Sequence, residues 1–235
     1  MSSILLDFHN KLGDNIIVNG LVREYCKHYA RVGIFCIPRY RTSVSFMYRD
    51  LPNLRLEMVK NHRQKLYFRI WNAFRFGDQH WDEIKVIQND NETGIVSERQ
   101  LYALAGVPFE KKWSSFFVAR DTTRENAFFS RVVPAQPYQF VHDDTIYGGS
   151  MSTAKLNSSL PVVRAEKDLT DNIFDYCAVI ERAAEIHVVD SVFMYLVDCL
   201  PYQQHPSQKL FVHRYARSNP PWQLPILRKQ WTILP

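Results

Sequence analysis

The sequence predicts an α/β fold in which two Rossmann-like halves, each built on a parallel sheet, face each other across a cleft. Three observations lead to this fold class. Short apolar runs alternate with amphipathic segments along the 235 residues, as in successive βαβ units. Some runs are continuously apolar, which is typical of strands buried on both faces of a parallel sheet. Two prolines in residues 133–137 then divide the series into two parts.

The first βαβ unit is predicted in residues 4–37. Residues 4–8 form a short apolar strand, and a polar loop leads to a helix that begins at about Asp14. The apolar residues of this helix recur every three or four positions between Val18 and Tyr29, so they define one face. The next apolar run, residues 32–37, is ended by Pro38 and predicts a buried strand.

The alternation continues to the end of the chain. The further elements predicted for the first half are helices at 42–49, 97–105 (capped by Ser97) and from about 121 (with Thr122 and Glu125 in a capping box), and strands at 54–59, 85–88 and 116–118. Residues 64–76 are expected to form an aromatic-rich helix or a surface segment. Those predicted for the second half are strands at 138–141, 160–164, 185–190 and 209–213, and helices at 171–184 and 191–200.

The domain boundary is placed at Pro134 and Pro137, because two prolines do not fit a central strand. Residues 1–132 are expected to form one Rossmann-like domain and residues 133–235 a second. The tail, residues 220–235, is rich in Pro, Trp and Leu and is expected to pack back on the first domain.

The composition is that of a globular protein, with 46% hydrophobic and 23% charged residues. A net charge of +5 suits an anionic ligand such as a nucleotide diphosphate, whereas a nucleic-acid-binding face is not indicated. The four scattered cysteines read as buried free thiols, and no signal peptide or membrane-spanning segment is recognised. These features predict a cytoplasmic protein.

Ligands of open α/β sheets bind beyond the carboxyl ends of the strands, and this rule selects the candidate site residues. It discards Glu185 and His187, which lie at the amino end of a predicted strand and inside it. The rule selects residues 9–15 and 39–41 in the first half, and residues 142–144, Arg164 and residues 190–191 in the second. The candidate site residues within these segments are His9, Gly13, Asp14, Asn15, Arg39, His142, Asp143, Asp144, Arg164, Asp190 and Ser191.

Asp14 has two interpretations from its position after Gly13 at a strand-to-helix turn. Its carboxylate could cap the helix, with Gly13 providing a tight turn. It could also accept a proton from an attacking hydroxyl, as a general base does. Asp190 and Ser191 have a similar pair of interpretations, because the start of a helix can be capped by Ser191 and can also bind a phosphate.

The patch formed by His142, Asp143 and Asp144 leaves three interpretations open. The first is a metal site, which two arguments disfavour. Two adjacent carboxylates on an extended chain point in different directions, and a hard cation needs more oxygen ligands than this patch offers. The alternatives are contact with a sugar and a solvated loop. The Tyr147-Gly148-Gly149 turn could approach a diphosphate.

No dinucleotide-binding, P-loop or nucleophile-elbow motif is found.

Two stretches resemble inverting GT-B glycosyltransferases akin to the heptosyltransferases. They are residues 9–23, HNKLGDNIIVNGLVR, and residues 185–196, EIHVVDSVFMYL. The resemblance implies a compact GT-B-like fold and transfer of a hexose or a related sugar from a nucleotide-diphosphate donor to a glycan hydroxyl. It also implies that Asp14 is the general base and that Asp190 and Ser191 meet the donor. The mechanism that it implies uses no metal or other cofactor.

The resemblance further implies a division of labour between the two halves. The acceptor is expected near His9, Asn15 and Arg39, and the donor near His142, Asp143 and Arg164. Two other functions remain open. One is a nucleotide-sugar epimerase on the same fold, and the other is a non-catalytic module that binds a nucleotide or a glycan.

Overall fold

The structure is a computed structural model that describes residues 2–74, 80–88, 98–134, 136–143, 150–166, 168–216 and 225–235. The chain divides into two compact units, one up to Ala119 and one from Arg120. Each unit contains a parallel sheet with helices, so the predicted α/β class is confirmed. None of the helices in these ranges is long and apolar enough to cross a membrane.

The first unit is built on a four-stranded sheet in the order β3-β2-β1-β4, with all neighbours parallel. Its strands are β1 (Ser3–Asp7), β2 (Arg31–Cys36), β3 (Leu54–Met58) and β4 (Glu83–Val86). Its helices are α1 (Leu12–Ile17), α2 (Asn19–His28), α3 (Arg41–Met47), α4 (His62–Ala73), α5 (Glu98–Ala105) and α6 (Lys111–Ser114). β1 and β2 are almost completely buried, as their continuous apolar runs predict.

The second unit is built on a five-stranded sheet in the order β6-β5-β7-β8-β9, again with all neighbours parallel. Its strands are β5 (Gln139–His142), β6 (Val162–Arg164), β7 (Glu185–Val188), β8 (Lys209–His213) and β9 (Trp231–Leu234). Its helices are α7 (Thr122–Val132), α8 (Cys177–Arg182) and α9 (Val192–Cys199). Short 3₁₀ turns lie at Pro38–Tyr40, Thr153–Lys155, Ile173–Tyr176 and Arg214–Ala216.

The boundary between the compact units precedes α7, whereas the sequence analysis placed it after residue 132. The reason is a set of ion pairs that join the α7 region to the second unit. Arg120 Nη1 lies 2.7 Å from Glu181 Oε1, and Arg124 Nε lies 2.6 Å from Asp175 Oδ1. The end of the tail forms β9, which pairs with β8 and extends the second sheet, while packing of the tail on the first domain stays a prediction.

The strand predicted at residues 116–118 is wrong, although the segment is apolar. Two side chains of α2 take the hydrogen bonds that a neighbouring strand would otherwise make. Asn19 Oδ1 accepts the N–H of Phe117 at 3.0 Å, and Asn19 Nδ2 donates to the carbonyl of Phe117 at 3.3 Å. Arg23 Nε donates to the same carbonyl at 3.0 Å. The backbone is therefore satisfied without a sheet.

Several helix starts also differ from the sequence prediction. α1 begins at Leu12, so Asp14 is its third residue and Gly13 lies inside the helix. Asp121 caps α7 by accepting the N–H of Arg124 at 3.0 Å, and Thr122 does not lead a capping box. Ser97, the predicted cap of α5, lies outside the described residues.

Helix α4 packs on the sheet through an apolar cluster that positions the site described below. Phe68 contacts a core formed by Leu5, Phe35, Val59 and Trp81. Its ring meets that of Phe35 edge to face, with 5.4 Å between the ring centroids. This contact brings the inward face of α4 against the carboxyl end of β1.

Candidate functional site

In the first unit, the polar loops that follow β1 and β2 lie at the carboxyl edge of the sheet. His9 is exposed directly after β1. Arg39 is exposed in the turn after β2, and its guanidinium carbon lies 4.6 Å from the centroid of the Tyr40 ring. Because parallel strands end at the same edge, both side chains are located where the ligand rule places them.

Asp14 is held at the start of α1 and is half-buried. Its Oδ2 atom accepts the backbone N–H of Lys11 at 3.1 Å, which stabilises the first turn. Burial raises the pKa of the Asp14 carboxyl above its ordinary value, because the charged form loses solvation. Nearby His9 and Lys65 lower this pKa in part. Asp14 is therefore both a capping residue and a carboxylate with increased proton affinity.

Asn15 differs from the other candidates on this edge because it is completely buried. Its Nδ2 atom donates to the carbonyl of Lys11 at 2.9 Å, while its Oδ1 atom is buried with no hydrogen-bond partner among the described residues. Asn15 thus holds the turn that carries Asp14. A contact between Asn15 and an acceptor stays a prediction.

Below this turn lies an ion cluster that the sequence analysis did not find. Asp7, the last residue of β1, is completely buried. Its Oδ1 atom accepts from Lys65 Nζ at 2.9 Å and from Gln88 Nε2 at 2.9 Å. Its Oδ2 atom accepts from Arg69 Nε at 2.7 Å. We call these four residues the Asp7 cluster.

The Asp7 cluster joins β1, α4 and the segment after β4. Lys65 Nζ also donates to the carbonyl of Phe8 at 2.6 Å, so it fixes the chain where it leaves β1. Burial lowers the pKa of the Lys65 ammonium, although Asp7 raises it in part. Two signals in the sequence indicate the cluster: an aspartate that ends an apolar strand, and two cations spaced four residues apart on one helical face.

In the second unit, the structure brings four of the predicted donor residues into two contacting pairs. His142 Nδ1 lies 3.0 Å from Ser191 Oγ, and Arg164 Nη1 donates to Asp143 Oδ2 at 3.0 Å. All four lie in or directly after the carboxyl ends of strands β5, β6 and β7, which are neighbours in the sheet.

Ser191 occupies the cap position of α9, but its side chain makes no capping hydrogen bond. The hydroxyl instead contacts His142, whose ring lies against Phe193 with 4.6 Å between centroids. Asp190, directly before it, is buried. Ser191 is therefore the N-cap residue of α9 as predicted, but its hydroxyl makes no capping hydrogen bond and lies toward the end of β5.

Glu185 and His187, which the sequence analysis discarded, belong to a buried hydrogen-bonded chain. His187 Nε2 lies 3.3 Å from Glu185 Oε2, and His187 Nδ1 lies 2.9 Å from His213 Nε2. His213 Nδ1 lies 2.8 Å from the Tyr215 hydroxyl, which accepts the N–H of Ser152 at 3.1 Å. This hydrogen-bonded chain of side chains runs from the amino end of β7 to the carboxyl end of β8.

The carboxylate at one end of this chain fixes the proton positions along it. Burial acts to raise the pKa of Glu185, but hydrogen bonds from Lys209 and Asn157 outweigh it and lower that pKa. Burial also lowers the pKa of His187, and lowers that of His213 to about 4, so both rings are neutral at pH 7. Each ring then donates toward Glu185, and the Tyr215 hydroxyl donates to His213.

Two further predictions concern residues without a described position. Asp144 and the Tyr147-Gly148-Gly149 turn lie outside the described residues. Within the ranges that are described, no group of three or more His, Cys, Asp or Glu side chains could hold a metal ion.

Comparison with known proteins places this geometry in a known fold. No protein-family model matches the sequence, and no curated protein sequence matches it. The structure is similar to a family 9 glycosyltransferase from Veillonella parvula, with a TM-score of 0.62, 10% identity, and coverage of 99% of this chain and 86% of that one. The chain has the fold of a glycosyltransferase.

Two more solved structures support this assignment of the fold. Heptosyltransferase II of Escherichia coli has a TM-score of 0.54 and 10% identity, with coverage of 99% of this chain and 90% of that one. The iron-containing heptosyltransferase TibC, solved with ADP-D-β-D-heptose, has a TM-score of 0.53 and 8% identity, with coverage of 90% of this chain and 58% of that one. The GT-B-like fold that the sequence resemblance implies is confirmed.

We predict that Asp7→Asn destabilises the first unit by about 3–5 kcal/mol, because it leaves two cations facing a neutral group in a buried site. Urea denaturation measures the free energy of unfolding, and amide hydrogen exchange in β1 assigns the change to this unit. Asp171→Asn is the matched control, since the Asp171 side chain is 71% exposed and lies 3.6 Å from Arg124, so the change should alter stability by less than about 1 kcal/mol. A similar small effect for both variants would show that the Asp7 cluster is not structural.

Proposed function

We propose that this protein is a glycosyltransferase that moves a sugar from a nucleotide-diphosphate donor to a glycan hydroxyl, with inversion and without a metal ion. The observation that carries the proposal is Asp14. It lies beyond the carboxyl end of β1 in a fold shared with heptosyltransferases, and burial raises the pKa of its carboxyl group. A carboxylate with increased proton affinity is suited to general-base catalysis.

The reaction follows from the chemistry of this carboxylate. Asp14 accepts the proton of the acceptor hydroxyl while the hydroxyl oxygen attacks the anomeric carbon of the donor. The bond from that carbon to the diphosphate oxygen breaks, and its electron pair leaves with the nucleoside diphosphate. Because attack and departure take place on opposite faces of the sugar, the configuration at the anomeric carbon inverts.

On the acceptor side, we assign the contacts to His9 and Arg39. Both are exposed at the same sheet edge as Asp14 and offer nitrogen donors to sugar hydroxyls or to acidic groups of a glycan. Gly13, directly before Asp14 in α1, has no side chain that could obstruct an acceptor beside the carboxylate. Asn15 acts indirectly as a positioning residue, since its hydrogen bond to Lys11 holds the turn.

On the donor side, we assign the diphosphate and sugar to the pairs His142–Ser191 and Asp143–Arg164 and to Asp190. The Ser191 hydroxyl, the Arg164 guanidinium and the amino end of α9 supply donors and positive potential for the leaving diphosphate. These groups replace the cation that other sugar transferases use. The complex of TibC with ADP-D-β-D-heptose supports a nucleotide sugar as the donor.

The proposed location is the cytoplasm. All four cysteines, Cys26, Cys36, Cys177 and Cys199, are free thiols. Burial raises the pKa of Cys36 to about 11 and that of Cys26 to about 12, so neither is a reactive thiolate at pH 7. Free, inert thiols suit a reducing compartment.

The substitution Asp14→Asn tests the general base. The amide oxygen can still accept the N–H of Lys11, so the turn is retained while the proton acceptor is lost. We expect kcat to fall by about 10²–10⁴-fold, with donor affinity unchanged in calorimetry. Asp121→Asn is the matched control, because Asp121 also accepts a backbone N–H at the start of a helix, and it should keep wild-type kcat.

The pH profile of the wild-type enzyme provides an independent readout for the same residue. Only the ionised form of Asp14 can accept a proton, and burial raises its pKa, so kcat should rise with pH through a value above the ordinary carboxyl range. An Asp14→Asn variant with wild-type kcat would refute the assignment. Donor binding without transfer by the wild-type protein would favour the non-catalytic module.

The substitution Ser191→Ala tests the donor site. Loss of a hydroxyl that faces a charged phosphate should weaken donor binding by roughly tenfold or more, measured as a smaller thermal shift with nucleotide sugars. Ser207→Ala is the control, because Ser207 Oγ also contacts a histidine of the second unit, His205 Nδ1, at 2.6 Å. Equal affinities for both variants and the wild type would remove Ser191 from the donor site.

A further inference from the structure

Helix α4 exposes an apolar surface to solvent. Five large residues at spacings of three and four lie on one helical face, and each keeps between 44% and 67% of its surface exposed. We call this surface the α4 stripe, and its members are Leu66, Tyr67, Ile70, Trp71 and Phe74. A contiguous apolar surface of this kind marks an interaction site in a folded protein.

The rotation of α4 that exposes the stripe is fixed by polar contacts on the opposite face. Lys65 and Arg69 are bonded to Asp7, and Asn72 exchanges two hydrogen bonds with the backbone of Trp81, at 2.6 and 3.0 Å. Turning the stripe inward would break all of these contacts and leave the buried carboxylate of Asp7 without its two cationic partners. The inward face of α4 therefore combines the apolar side chain of Phe68 with the polar contacts of Lys65, Arg69 and Asn72, while the stripe faces solvent.

The charges around the stripe point to an anionic partner. Exposed Lys60, His62 and Arg63 lie at its amino end, and Arg63 is three residues before Leu66, on the same face. Residues 59–74 contain no aspartate or glutamate. A second copy of the chain placed symmetrically on this surface would bring the same cations together, which argues against self-association.

The residue types within the stripe point to a lipid interface. Tyr67 and Trp71 each combine a large apolar ring with a polar hydrogen-bonding group, and such residues prefer the boundary between hydrocarbon and water. We propose that the α4 stripe docks the protein on the surface of an anionic lipid bilayer. The helix of 12 residues, about 18 Å long, lies parallel to the membrane plane, with its apolar residues in the acyl boundary and its cations among the headgroups.

Sedimentation of the full-length chain with vesicles tests this docking. The wild type should bind vesicles of equal parts phosphatidylcholine and phosphatidylglycerol, and bind phosphatidylcholine alone more weakly. The double variant Trp71→Ser/Phe74→Ser should lose about tenfold or more in partitioning. Arg63→Gln should reduce the preference for anionic vesicles, and added salt should do the same.

The control removes two exposed apolar side chains from other surfaces. Leu104 and Val162 are 43% and 40% exposed, and Leu104→Ser/Val162→Ser should bind vesicles as the wild type does. Failure of the wild type to bind, or equal binding by the stripe variant, overturns the proposal. So does a lipid-free oligomer that the stripe variant abolishes, because a second copy would then cover the surface. Vesicle binding does not involve Asp14, so it is independent of sugar transfer.

Discussion

The buried contact of Asp7 with Lys65 and Arg69 is the interaction on which two surfaces of the first unit depend. They are the sheet edge that carries Asp14 and the α4 stripe. A carboxylate removed from water at the end of β1 requires cationic partners, and α4 supplies two of them one helical turn apart. Lys65 also binds the carbonyl of Phe8, so the loop that leads to Asp14 starts from a fixed point. The same contacts direct the apolar residues of α4 outward.

Two carboxylates near the same strand end consequently have different environments. Asp7 is fully enclosed by cations and an amide and cannot reach a ligand. Asp14 accepts a hydrogen bond from the backbone N–H of Lys11 and keeps partial access to solvent, while burial raises its pKa. Catalytic sites commonly separate acid–base groups from structural ones through such differences in environment.

The sequence predicted most strands because buried parallel strands leave continuous apolar runs, as in β1, β2 and β8. It failed where side chains replace a sheet neighbour, as Asn19 and Arg23 do for Phe117. The candidate residues at strand ends followed from the topology of parallel sheets. The Asp7 cluster and the chain from Glu185 to Tyr215 join residues that are distant in sequence, so only the folded structure reveals those partners.

Proton NMR of the anomeric signals, recorded while the protein is incubated with a panel of nucleotide sugars, tests inverting sugar transfer most directly. With an α-linked donor, base catalysis by Asp14 predicts that the donor is consumed and that the first sugar transferred to an acceptor or to water has the β configuration. Release of an α-configured sugar would contradict that mechanism. Binding of donors without consumption of any of them would contradict catalysis itself.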